Sequence, residues 1–97
     1  MNKLSENAVR ERLSELKGWD FVDGKLYVEY KFNDFKSAFE FMTKLSETVN
    51  RLDHHPEWSN SYNKVTISLV THSAKGITEL DFKLAKAAWE LYKDYLS

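Results

Sequence analysis

Cysteine is absent from the 97 residues. That removes disulfides, thiolate nucleophiles and cysteine-based zinc sites together. Proline occurs once and glycine three times, so no flexible or proline-rich linker divides the chain. Neither sign of charge dominates. The 14 Lys and Arg stand against 15 Asp and Glu, for a net charge of -1. Such a balance offers no general attraction for nucleic acid, and no direct nucleic-acid partner is expected. No stretch reaches the roughly 18 apolar residues that suggest a membrane span. MNKLSENAVR lacks the apolar run of a signal peptide. Phosphate-binding glycine loops and strained serine elbows are missing too. These absences point to one cytoplasmic domain, residues 1–97, with no membrane partner.

What is present has clear periodicity. Ser5 can cap a first helix over about residues 6–16, with Val9, Leu13 and Leu16 on one face and Gly18 beyond its end. Asp23-Gly24 reads as a two-residue hairpin turn. After it Leu26, Val28, Tyr30 and Phe32 alternate with polar neighbours, as in a strand with one buried face. Asn33 or Asp34 opens a second helix whose apolar stripe is Phe35, Ala38, Phe39, Met42, Leu45, Val49 and Leu52. Phe41 lies off that stripe, which suggests a second buried face, covered by another subunit. Pro56 stops the helix near His54. Residues 57–62 and 65–72 form a second hairpin, with Asn63-Lys64 as its turn. Thr78 caps the last helix, Asp81 completes a capping box, and Ile77 and Phe82 occupy the staple positions.

The order α-β-β-α-β-β-α, with both strand pairs as hairpins, predicts an α+β fold. It has two layers: a four-stranded antiparallel sheet and three helices on one face. The Asn63-Lys64 turn sets a register in which His72 lies opposite His55. Directly opposed residues share a face of the sheet. The same register puts Trp58 and Tyr62 on the core face and leaves Asn60 opposite Ile67. A slip of one residue would reverse these faces. The end of the second helix, the end of the last strand and the start of the last helix then converge. They carry His54, His55, His72 and Asp81.

Each of these has a plainer reading. His54 suits the negative end of a helix dipole. Asp81 is a helix cap. His72 is an exposed strand-end residue. As a metal set the group is badly spaced, because adjacent His54 and His55 diverge by about 100° in a helix and about 180° in a strand. Proton transfer suits the group better. Imidazole donates or accepts near neutral pH, and a carboxylate can orient one ring.

The residues "LDHHPEW", followed by "YNKV" and "THSAKG", resemble the pterin-4a-carbinolamine dehydratases, also known as dimerization cofactors of a homeodomain transcription factor. The pattern runs through His54, His55, Pro56, Tyr62, His72 and Asp81. The resemblance implies dehydration of 4a-hydroxytetrahydrobiopterin to quinonoid dihydropterin, in tetrahydrobiopterin recycling. It also implies a small-molecule pterin substrate and no metal or redox cofactor. It implies a homodimer joined sheet edge to sheet edge, or a homotetramer formed by helix packing. His54 and His72 become the proton-transfer pair, His55 a binding group and Asp81 a supporting carboxylate. One position departs from the family pattern: Asn50 stands where relatives commonly carry an acidic residue. The competing function is a non-catalytic, protein-binding or transcriptional cofactor module.

Overall fold

The computed structural model describes residues 2–96. The helices are α1 (Glu6–Arg12), α2 (Phe35–Leu52) and α3 (Glu79–Tyr92). The strands are β1 (Asp20–Val22), β2 (Lys25–Lys31), β3 (Glu57–Ser61) and β4 (Lys64–Leu69). They form one antiparallel sheet in the order β1-β2-β4-β3. Alternation sends Leu26, Val28 and Tyr30 of β2, with Val65, Ile67 and Leu69 of β4, to one buried face. All three helices contribute to the core built on that face, with Val9, Leu45 and Leu84 among its buried members. The expected α+β architecture and element order are the observed ones. No helix among the described residues is long and apolar enough to cross a membrane.

The first helix ends earlier than expected. α1 stops at Arg12, and residues 13–15 tighten into a 3-10 turn. The Arg12 guanidinium reaches Glu79 and Glu15 and lies 4.2 Å over the Phe82 ring, which ties α1 to the start of α3. Ser5 accepts from the Ala8 amide as the N-cap. At the Asp23-Gly24 turn both residues have positive φ, 51° and 78°, which a two-residue hairpin of this hand requires.

α2 is rotated from the expected stripe. Phe41 is fully buried, whereas Phe35 and Phe39 are exposed, Phe39 by 56%. Each residue turns a helix by about 100°. Around a face centred on Ala38, Leu45 and Val49, Phe41 then falls inside the buried arc and Phe39 outside it. Phe41 thus serves this chain's own core, against Tyr30, Phe32 and Tyr92.

The second hairpin turns one residue earlier than Asn63-Lys64. Ser61 pairs with Lys64, and Tyr62-Asn63 form the loop, with Tyr62 at φ 51°. The pairing therefore shifts by two residues. Trp58 faces Ile67 rather than Leu69, and Asn60 faces Val65. A two-residue shift keeps every face assignment within the strands, since side chains alternate with period two. Tyr62, expected in the core, sits in the turn and is 67% exposed. Asn60 becomes satisfied there: its amide donates to the carbonyls of Tyr62 and Lys64 at 3.1 and 2.9 Å.

Candidate active site

α2 is terminated by backbone geometry. Asp53 adopts the left-handed conformation, φ 49°. Its N–H reaches the Asn50 carbonyl, and the His54 N–H reaches that of Val49. These two bonds are the Schellman pattern, which reverses the chain at a helix end. Pro56 then holds the following segment extended. The reversal turns His54 inward, where the side chain is about nine-tenths buried. Its neighbour His55 is exposed, so the two rings occupy different surroundings.

The inward ring meets Asp81. His54 Nε2 lies 2.5 Å from Asp81 Oδ1, and Asp81 is fully buried in the first turn of α3. The other carboxylate oxygen accepts from the Thr71 hydroxyl at 2.8 Å and from the Thr78 amide at 2.9 Å. Thr71 Oγ1 is also 2.8 Å from Thr78 Oγ1. Each hydroxyl has one proton. With the Thr71 proton on Asp81, the Thr78 proton goes to Thr71, and the Leu80 N–H donates to Thr78 Oγ1 at 3.3 Å. Every donor in this chain points toward the carboxylate. Two donors, the Thr71 hydroxyl and the Thr78 amide, thus hold one oxygen of Asp81 and leave the other to His54. Where Asp81 accepts from the ring, Nε2 of His54 carries the proton and Nδ1 is left as the basic nitrogen.

His72 comes from a different element than expected. β4 ends at Leu69, and Thr71 pairs with Gly76 through N–H to carbonyl bonds of 2.9 and 3.3 Å. Residues 72–74 form a 3-10 turn inside that bridge, closed by Lys75 at φ 59°. His72 therefore projects from a tight loop rather than a strand. The expected pairing with His55 does not form, because the ladder between β3 and β4 ends at Glu57 and Ser68. The His72 side chain is 76% exposed, with Nε2 3.5 Å from Glu57 Oε1. Its backbone nevertheless follows directly on Thr71, whose hydroxyl holds Asp81. Thus His54, Asp81 and Thr71 form one buried cluster, and His72 stands on the adjacent residue.

The sequence alone did not single out Thr71, Thr78 as a hydroxyl donor, or Glu57. A Thr just before the downstream His and a Thr three residues before the Asp were the available signals. Asn50 is exposed in the last turn of α2. Among the described residues, no group of three or more His, Asp or Glu side chains is arranged to hold a metal ion.

The family model described as pterin 4 alpha carbinolamine dehydratase matches residues 2–91. The chain belongs to this family. Membership makes it a hydro-lyase. Proteins of Brucella ovis and Brucella canis, each named "putative pterin-4-alpha-carbinolamine dehydratase", are 47% identical to it over 87 residues. That alignment covers 88% of this chain and 90% of theirs. The crystal structure of a transcriptional coactivator/pterin dehydratase from Brucella melitensis superposes with a TM-score of 0.91 at 43% identity. It covers 94% of this chain and 99% of that one.

Proposed function

We propose that this chain eliminates water from 4a-hydroxytetrahydropterin by histidine acid–base catalysis, in the recycling of a tetrahydrobiopterin-type cofactor in the cytoplasm. The reaction breaks the C4a–O bond and forms a C4a=N5 double bond. One imidazolium gives its proton to the departing hydroxyl, which leaves as water. One neutral imidazole takes the proton from N5. The two transfers balance, and solvent exchange resets the pair. This chain's part is to hold and move those two protons.

The buried His54–Asp81 pair carries the reading. A carboxylate held by Thr71 and Thr78 on one oxygen presents the other to His54 and orients its ring. His72, outward and largely exposed, serves as the second proton carrier. The exposed His55 acts as a polar contact to the flat pterin. The steps need no metal or redox cofactor.

Turnover of chemically generated 4a-hydroxytetrahydropterin tests this, with and without chelator. His54→Ala and His72→Ala should each lower kcat by about 10²–10⁴, and chelation should leave turnover unchanged. Full activity in both variants defeats the acid–base assignment. Stoichiometric zinc with loss of activity on chelation defeats the metal-free one.

A second reading is a binding role, and the exposed face of α2 favours it. The Phe35 and Phe39 rings lie 5.8 Å apart beside a groove of about 250 Å³ lined by Phe39, Met42, Thr43, Ser46 and Trp58. A second copy of the chain, in a homodimer or homotetramer, or the helix of a regulator would cover this face. Phe39→Glu measured by light scattering distinguishes assembly from monomer.

A further inference from the structure

The helix-free face of the sheet carries a charged cluster that the proton-transfer scheme leaves unused. The register sets Tyr27 of β2 and Glu57 of β3 on either side of Ser68 in β4. Lys25, two residues before Tyr27, shares that face by strand alternation. Its ammonium reaches over the central strand to Glu57, with Nζ 3.0 and 3.3 Å from the two carboxylate oxygens. The loop that leaves β4 brings His72 to the same carboxylate, 3.5 Å from Oε1. One oxygen thus faces both a permanent cation and an imidazole.

The charged groups on the elements that meet near the loop of His72 are few. β3 supplies Glu57 and β2 supplies Lys25. The loop itself supplies Lys75, and α3 supplies Asp81, which is occupied by His54, Thr71 and Thr78. Among the described residues, Glu57 is the one carboxylate in ion-pair reach of the His72 ring.

We propose that Glu57 is a positioning residue for His72 and that Lys25 controls it by competing for the same carboxylate. Glu57 holds the ring through Nε2 and keeps Nδ1 available. It also retains the imidazolium before the proton is delivered. Lys25 limits that hold, so the ring can release its proton. The ion pair with Lys25, and to a smaller degree His72, keeps the Glu57 carboxyl below the usual carboxylate range. The catalytic consequence rests on the dehydratase reading, whereas the control of the ring is a property of the free protein.

The test follows ring-proton NMR of the full chain against pH, with His72 assigned by its loss in His72→Ala. Glu57→Gln should move the His72 titration midpoint down by about 0.2–0.6 of a pH unit, and Lys25→Met should move it up by a similar amount. The His54 signal should stay in place in both, as should the near-UV spectrum, since neither substituted side chain belongs to the buried core. In turnover, Glu57→Gln should lower kcat by about threefold with KM little changed. Midpoints that stay within about 0.1 unit of wild type, or that move in the same direction, overturn the proposal. Opposite shifts in a protein that dehydrates no 4a-hydroxypterin would instead sink the dehydratase reading and leave the control of His72 by Glu57 standing.

Discussion

Asp81→Asn separates a catalytic carboxylate from a mere helix cap. The amide keeps the shape but has one acceptor oxygen in place of two. Asp81 now accepts from His54 Nε2, Thr71 Oγ1 and the Thr78 N–H. If the amide oxygen stays with Thr71 and Thr78, its NH₂ faces His54. The ring must then accept at Nε2 and carry its proton on Nδ1. The basic nitrogen is lost, and a comparable tautomer exchange behind a catalytic histidine lowers turnover by about 10⁴. The stability change can be bounded as well. Hydrogen bonds to a charged group contribute about 1.5–3 kcal/mol, against about 0.5–1.5 kcal/mol for neutral ones. Three weakened bonds in a fully buried site give a loss of about 2–4 kcal/mol. For a chain of this size that lowers Tm by roughly 10–25 °C. Near-UV circular dichroism at low temperature verifies the fold, and turnover of 4a-hydroxytetrahydropterin is then measured there. A folded variant with turnover within about threefold of wild type would show that Asp81 only caps α3, and the dyad argument would fail.

Other expectations concern the core. Tyr30→Phe removes the acceptor of the buried Trp19 Nε1–H, now 3.0 Å from the phenol oxygen. It should cost about 1–3 kcal/mol in denaturant melts while leaving turnover at 25 °C unchanged. Burial also pushes the Tyr30 phenol well above its ordinary range. A raised value means the contribution is full below the unfolded phenol pKa of about 10 and is lost as pH rises through the folded one. Wild type should therefore lose stability above about pH 10, and Tyr30→Phe should be less sensitive there. Phe41→Ala should cost about 3–5 kcal/mol by calorimetry. A near-neutral result would return Phe41 to an exposed role and contradict the rotated face of α2.

The sequence by itself determined the element order and the antiparallel sheet. The reason is that those features rest on local rules. Period-two alternation places Leu26, Val28 and Tyr30, Thr78 with Asp81 builds its own cap, and Pro56 stops a helix wherever it lies. Even the face assignments within β3 and β4 survived a misplaced turn, since a two-residue shift preserves parity. Tertiary structure decided the rest. Whether Phe39 or Phe41 faces the core depends on how α2 rolls on the sheet, and the apolar spacing favoured Phe39. A left-handed Asp53 sends His54 inward, and its Cβ-bearing side chain gives no sign as clear as glycine would. The partners of Asp81 lie 27 and 10 residues away in the chain. Contacts at such separation come from the packing of helix against sheet, which no local pattern encodes.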